Sequence, residues 1–558
     1  MGNEVERLAE ITLLNKKLHC KPGTRIVEIL PTRSDPEGRA YLGAVVNNRL
    51  VSLDSKLYAK ANVQPVTVAD PNGASIYRRC ATYLLFAAFI DRHPDLRLEV
   101  GQSMGNGYHF RVLGNGHSLP DLQALVARVR EIARDDVPFS RQTLSIEEAS
   151  DLFQQRGYDD KLKLLRIWPT STVHVISIGK FCDIEHGPVA LSTAAIDDVE
   201  LIPMEPGFVM HFTSGRSPSW REDMPKNSGK LFETYRETRQ WNEILGVNTV
   251  GELNELCLSG AVADIIRITE GFHEKKIAKI ADIAAERRPK VRVILIAGPS
   301  SSGKTTFSMR LGVQLRVNGI RPVTVSLDNY YVDRESTPRH PDGSFDFEAI
   351  EAIDLKLFND HLSGLLAGKE IRTPKFDFTS GKRAPEDKWQ PMRLEDDQVL
   401  VIEGIHGLNN RLTAAVPMEL KFRIFVSALT QLVIDRANRV ATSDSRLIRR
   451  IVRDRRYRGY KAAETIASWS SVRSGERRNI FPFQDQCDVM FNSALLYEPA
   501  VLKVLADRYL LEVPRDHPSA VTAHQLRKFL QLFVPIFPDD VPRTSILREF
   551  IGGSYFNY

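Results

Sequence analysis

Residues Val291–Leu311 read VRVILIAGPSSSGKTTFSMRL. A mostly apolar run over Val291–Ala297 passes into Gly298-Pro299-Ser300-Ser301-Ser302-Gly303-Lys304-Thr305-Thr306, and helix-forming residues begin at once. The spacing is G-x-x-x-x-G-K-[ST] in the strand-loop-helix setting this motif requires. Its glycines let the backbone wrap around phosphate, so that amides and the positive end of the following helix face the anion. Lys304 can then reach the β and γ phosphates of a nucleotide, and the Thr305 hydroxyl can bind Mg²⁺. Gly298 through Thr306 are therefore the candidate nucleotide-binding residues. From Pro289 onward, buried strands alternate with helices, which predicts a parallel α/β sheet around this loop.

Two further strands place acids at the same edge of that sheet. RPVTVSLDNYYVD (residues 321–333) ends its strand near Asp328, with Tyr330 and Tyr331 close behind; QVLVIEGIHGL (398–408) ends at Glu403-Gly404. In an open parallel sheet, residues just beyond the carboxyl ends of strands line the ligand crevice. Asp328 there can accept the proton of an attacking hydroxyl or hold Mg²⁺, and Glu403 can hold metal or orient water. His406 is a lone histidine and receives no role.

Outside this region, composition narrows the possibilities. At roughly 150 residues per domain, 558 residues predict three or four domains, each with its own core. No apolar stretch approaches the roughly 20 residues that span a bilayer, and the start, MGNEVERLAEI, lacks the pattern of a secretory signal. Five scattered cysteines argue against a disulfide framework. A cytoplasmic protein without a membrane partner is expected. Net charge is +5, yet Arg446–Arg458 (RLIRRIVRDRRYR) alone carries seven arginines and Asp454, a local +6, which leaves −1 elsewhere. At about 100° per residue, Arg446, Arg449, Arg450, Arg453 and Arg456 share an arc of about 120°, opposite Leu447, Ile448, Ile451 and Val452. Such crowded like charges make sense if phosphate neutralises them, so the segment reads as a phosphate-closing lid ended by Gly459.

The front of the chain reads as a β-grasp-like unit, with strands at EITLLN and a hairpin turn at Asn47-Asn48. An α+β unit follows, with helices over Ser75–His93 and Pro120–Arg134 and strands at Leu96–Val112, Val173–Ile178 and Val199–Pro203. Helical patterns over Thr234–Arg288 read as a connector. The expected divisions are 1–65, 66–230, 231–288, 289–512 and a C-terminal extension over 513–558.

GPSSSGKTT, LDNYY, VIEGI and RLIRRIVRDRRYRG, in that order, resemble the uridine kinase and phosphoribulokinase family of P-loop kinases over about Val291–Tyr509. The resemblance implies ATP and Mg²⁺ as cofactors and transfer of the γ-phosphoryl group to a nucleoside 5′-hydroxyl. Carried over by position, Asp328 would be the catalytic base beside Lys304; Thr305, Glu403 and Asp328 would be metal-associated; and Arg450, Arg453 and Arg458 would be lid contacts to phosphate. For the acceptor, PKFDFTSGKR places Phe376 where the family has tyrosine, Gly381 where it has histidine, and retains Arg383. The family's acidic ribose contact aligns with EAIEAID, which gives Glu351 and Asp354, and Tyr331 completes the expected acceptor residues. Tyr460 stands where the family often has arginine. The phosphoryl machinery is intact while the base pocket has changed.

The front half carries a second resemblance. Residues of about 7–65 resemble a TGS domain, and about 70–225 resemble the second additional domain of threonyl-tRNA synthetase, through LLFAAFIDRHPDLRLEVGQSMGNGYHF and DIEHGPVALST. The synthetase's editing residues are replaced by Arg79, Tyr83, Glu185 and Val189. Cys182 and His186 have a ligand-like spacing in a shifted register, but two residues make a weak metal site. The expected protein is thus a multidomain α/β nucleoside kinase, a homo-oligomer, with a binding or regulatory front half. The alternatives are a kinase for a sugar phosphate or other small hydroxyl compound, and an ATP-switched RNA-binding regulator. The last is disfavoured because a front half without a basic stripe binds tRNA or other RNA weakly.

Overall fold

In the computed structural model, which describes residues 8–114, 119–213, 229–340, 343–377 and 380–557, the chain begins with hairpin β1 (Ala9–Leu13) and β2 (Lys16–Cys20). The short α1 (Ile26–Ile29) follows, then β3 (Gly43–Val46), β4 (Arg49–Val51) and β5 (Ala61–Val66). The sheet order is β2-β1-β5-β3-β4, with β1 parallel to β5. Asn47 and Asn48 make the turn between β3 and β4 with φ of 46° and 59°, the left-handed region that asparagine tolerates. The expected β-grasp unit is thus present. The charged heptapeptide that precedes it and residues 214–228 at the end of the expected second unit lie outside the described residues.

In the second unit, α2 (Pro71–Arg92) is apolar on almost every face and packs between two sheets. One, in the order β11-β12-β7-β6, comprises β6 (Arg97–Met104), β7 (Gly107–Leu113), β11 (Val199–Pro203) and β12 (Phe208–Phe212). The other is β8 (Ser140–Ser145), β9 (Thr172–Ile178) and β10 (Phe181–Ile184). Helices α3 (Leu122–Arg134), α4 (Ile146–Gln155) and α5 (Asp159–Leu165) flank them. The side chains named at the editing positions are engaged within the unit itself. Arg79 donates to the Pro188 carbonyl at 2.7 Å and lies against Gly187, Tyr83 is buried against Phe181, and Glu185 pairs with Arg141 at 2.8 Å. His186 is engaged by Asp435, and no group of three or more His, Cys, Asp or Glu suited to a metal occurs among the described residues.

Helices α6 (Gly229–Leu245), α7 (Val250–Ser259) and α8 (Val262–Glu286) follow. The parallel sheet then runs β14-β15-β13-β16-β17, from β13 (Val293–Ala297), β14 (Arg321–Ser326), β15 (Gln398–Glu403), β16 (Lys421–Ser427) and β17 (Val489–Asn492). Its helices are α9 (Lys304–Val317), α10 (Leu355–Leu366), α11 (Thr442–Tyr457), α12 (Ala462–Asn479) and α13 (Glu498–Leu511), followed by α14 (Ala520–Gln531) and the single turn α15 (Arg548–Ile551). Strand β13 is buried throughout, as a central parallel strand must be.

The first unit has an apolar cluster of its own, from Ala9 to Val63, whereas the later segments share one. One continuous apolar cluster joins Phe153 and Val175 of the second unit, Val250 and Ile277 of the connector, Ile294 and Phe307 of the parallel sheet, and Leu526, Leu547 and Phe550 of the C-terminal segment. The residues expected to be an extension are therefore part of the body that carries the phosphate loop. No helix of the described residues is long and apolar enough to cross a membrane.

The second unit also grips the turn that precedes α11. Buried Lys161 lies 3.0 Å from Asp435 and is paired with Asp183; Asn438 donates to Asp183 at 2.8 Å, and His186 lies 2.9 Å from Asp435. Val100 donates its amide to the Arg436 carbonyl, the Arg436 amide donates to Asp160, and Gln102 bonds Thr430 and Thr442. Removing one partner of a buried ion cluster leaves an uncompensated charge and costs about 3–5 kcal/mol. Lys161→Ala is expected to lower the calorimetric unfolding temperature markedly, and an unchanged transition would contradict this reading of the junction.

Candidate active site

Gly298 begins the phosphate loop where β13 ends, and a Cβ there would lie 2.2 Å from the Val426 carbonyl oxygen, so only glycine fits. Ser301 (φ 57°) and Gly303 (φ 81°) then reverse the chain, and α9 starts at Lys304. The first amides of α9 have no partner within the helix and point back into the loop. A cavity of about 530 Å³ opens there, lined by Ser300–Thr305, Asp328 and Glu403 and by residues of α11 and α12. The Lys304 ammonium is folded onto its own loop, donating to the Pro299 carbonyl at 3.1 Å. Burial pulls its pKa below the usual lysine value.

The sequence-predicted acids meet at this point. Asp328 lies in a single 3₁₀ turn just past β14, and the Glu403 carboxylate accepts from the Thr305 hydroxyl at 3.4 Å and from Ser326 at 3.3 Å. Burial, reinforced by the nearby Asp328 charge, pushes the Glu403 carboxyl up to about 7. Two carboxylates held together against their repulsion, with a hydroxyl beside them, form an oxygen donor set that suits Mg²⁺. A cation of that type completes its shell with phosphate and water rather than a protein-only cage.

The arginine helix departs from the expectation of a single phosphate-facing arc. Arg446 is buried, bonded to the Ser300 carbonyl at 2.9 Å and paired with Glu476 of α12. Arg449 is fully buried and paired with Glu498 of α13. Protein carboxylates, not phosphate, neutralise these two. Arg450, Arg453 and Arg458 do line the cavity, gathered around Asp454, and Arg450 donates to the Ser300 hydroxyl at 2.8 Å. Mutual repulsion, led by Arg453 and followed by burial, depresses the Arg458 pKa to about 10.

Of the four residues expected at the acceptor, two line the cavity. Tyr331 and Phe376 line the cavity with ring centroids 5.7 Å apart. Glu351 instead points to solvent and pairs with Arg411 at 2.7 Å, while Arg383 is held by Asp354 at 3.2 Å and by the Tyr331 carbonyl at 3.1 Å. Neither lines the cavity. The acid that does is Glu348, three residues earlier, directly after Phe347, another lining residue. Gly475 of α12 lets it pack closely, since a Cβ there would lie 2.3 Å from the Glu348 Cβ. Its Oε2 is buried with no hydrogen-bond partner among the described residues, and burial, followed by the Glu476 charge, pushes its carboxyl to about 7. The Arg334 guanidinium lies over Gly381, within 2.6 Å of where a Cβ would stand. One further lining residue had no signal in the local sequence: Glu549, whose carboxylate accepts from the Thr306 amide at 3.2 Å and hydroxyl at 2.9 Å.

Residues 293–496 match the sequence model of the Phosphoribulokinase / Uridine kinase family. The N-terminal region is similar to threonine–tRNA ligases: 29% identity over 187 residues with that of Rubrobacter xylanophilus, covering 33% of this chain and 29% of the relative, and 26% over 198 residues with that of Clostridium kluyveri, covering 35% and 31%. The chain thus spans less than a third of the length of these curated relatives. Among solved structures, a possible uridine kinase from Bacillus stearothermophilus aligns at 16% identity and a TM-score of 0.27, covering 39% of this chain and all of that one. Family match and site geometry together support a kinase reaction.

The raised carboxyls set a pH dependence. A carboxyl whose pKa is higher in the folded state retains its proton there after the unfolded chain has lost its own, so stability falls as pH rises from about 4.5 to about 7 and levels off above. Thermal unfolding followed across this range should show that decline, with a smaller slope in Glu348→Gln; an identical slope in the variant would refute the assigned environment.

Proposed function

We propose that this chain transfers the γ-phosphoryl group of ATP to the 5′-hydroxyl of a nucleoside. The observation that carries the reading is the single cavity that joins Lys304, Asp328 and Glu403 to the aromatic pair Tyr331 and Phe376. Phosphoryl transfer needs little covalent chemistry from a protein and much positioning and charge compensation. Asp328 would accept the proton of the attacking hydroxyl. Lys304, Arg450, Arg453 and Arg458 supply positive charge around the phosphates. Thr305, Glu403 and Asp328 would hold Mg²⁺, which supplies charge neutralisation when bound. The aromatic rings offer a flat apolar surface to a planar base, and Glu348 offers a buried acceptor to substrate hydroxyls.

A second reading, a kinase for a sugar phosphate or another small hydroxyl compound, is favoured by Arg334 over Gly381, since a guanidinium in the cavity wall suits a phosphate. Under either reading the synthetase-like half holds the root of α11 and takes no part in chemistry. Lys304→Ala is expected to abolish ATP turnover, and Asp328→Asn to cut it by about 10²–10⁴ with ATP binding retained. Full activity in Asp328→Asn would refute the assigned base. Turnover measured over nucleosides, pentose phosphates and pantothenate-like alcohols separates the two acceptor classes.

A further inference from the structure

Residues of the C-terminal segment reach the phosphate loop. In a loop of this type the backbone amides cradle the phosphates of the nucleotide. Thr306 is the third residue of α9, so its amide belongs to the helix end that has no intrahelical partner. That amide and the Thr306 hydroxyl both donate to the Glu549 carboxylate, at 3.2 and 2.9 Å. At the other end of the loop, the Ser300 amide donates to Glu476 at 2.9 Å. Two protein carboxylates thus sit on the cradle with the negative charge and oxygen acceptors that a phosphate would bring.

Glu549 is delivered by a short segment folded mostly on itself. Arg548 bonds the carbonyls of Pro538, Val541, Pro542 and Gly552, so its guanidinium ties the segment into a closed knot. Toward the body, Ile546 packs on Gly303, near enough that a Cβ there would meet it at 2.5 Å, and Phe550 lies under the Arg449 guanidinium at 5.0 Å. The polar ties of the knot are largely internal. Ile546, Leu547 and Phe550 keep the knot anchored in the core, so what can leave is the Glu549 side chain, once its contact at Thr306 is exchanged for another anion.

We infer that the segment Pro538–Gly553 is an internal competitor for the nucleotide, holding Glu549 on the Thr306 amide in the resting chain and yielding when the triphosphate arrives. This rests on the nucleotide-binding reading above and adds to it an autoinhibitory contact. Only one anion can take the Thr306 amide, so the apparent affinity for ATP is reduced by the fraction of chains in which Glu549 holds it.

The test is calorimetric titration of ATP into the full chain, without acceptor, in wild type, Glu549→Gln and the control Asp540→Asn, an exposed carboxylate of the same segment. Glu549→Gln is expected to bind roughly tenfold tighter, since loss of a charge-assisted contact is read as a fold-change of this order, and Asp540→Asn to match wild type. Equal or weaker binding by a folded Glu549→Gln protein would overturn the proposal. If that variant does not fold, hydrogen exchange of the wild type decides. Amides of residues 541–551 should exchange faster with ATP present, and unchanged or slower exchange overturns it. Failure of both wild type and Glu549→Gln to bind ATP would overturn the nucleotide reading as well, whereas equal binding by both overturns this contact alone.

Discussion

The buried pair Arg449–Glu498 is the constraint on which the site depends. Arg449 has no exposure to water, and its guanidinium is fully committed. Besides Glu498 it donates to the Ser301 carbonyl at 3.3 Å, to the Ser493 hydroxyl at 3.2 Å and to the Ser493 carbonyl at 3.0 Å, with Phe550 beneath it. One side chain therefore ties the phosphate loop, the end of β17, the start of α13 and the C-terminal knot to α11. A buried arginine without its carboxylate would be severely unfavourable, so these parts must come together or not at all. Arg446 repeats the arrangement one turn earlier with Glu476 and Ser300.

With the first half of α11 fixed in this way, its second half presents Arg450, Arg453 and Arg458 to the cavity. Asp454 holds these three cations close enough to depress the pKa of Arg458. Across the cavity, Glu403 and Glu348 are carboxyls raised toward neutrality by burial and by neighbouring acids. Both sides are electrostatically unsettled, which is the state expected of a functional site. The synthetase-like half contributes from a distance: Lys161, Asp183 and His186 anchor the turn at Asp435, and that turn leads directly into α11.

Much of this was legible in the sequence because the decisive signals are local. Gly298 to Thr305 carry their own geometry, and Asp328 and Glu403 sit at strand ends whose apolar runs announce the crevice. The arginine helix was half legible. Its periodicity separated Leu447, Ile448, Ile451 and Val452 from the arginines, but a helix pattern cannot show that Arg446 and Arg449 on the opposite face are also buried, nor that their partners are Glu476 and Glu498, dozens of residues downstream. The resemblance pointed to Glu351 and Asp354, whereas the acid of that stretch that lines the cavity is Glu348, and spacing alone gives no preference among them. Glu549 sits on a single helical turn, too short for periodicity, and its partner Thr306 lies 243 residues earlier. The synthetase-like half was recognisable as sequence, yet its contact with the root of α11 depends on tertiary register that no local motif encodes.

The central claim is that one cavity carries a phosphoryl group from a nucleotide to a hydroxyl. It is tested most directly by incubating the full chain with ATP bearing an isotopically labelled γ-phosphoryl group, Mg²⁺ and a mixture of nucleosides and pentose phosphates, then locating the label by mass spectrometry. Label in a phosphate monoester of an acceptor, absent from reactions with Lys304→Ala protein, is the predicted result. Label found only in inorganic phosphate, or remaining wholly in ATP, would contradict the account.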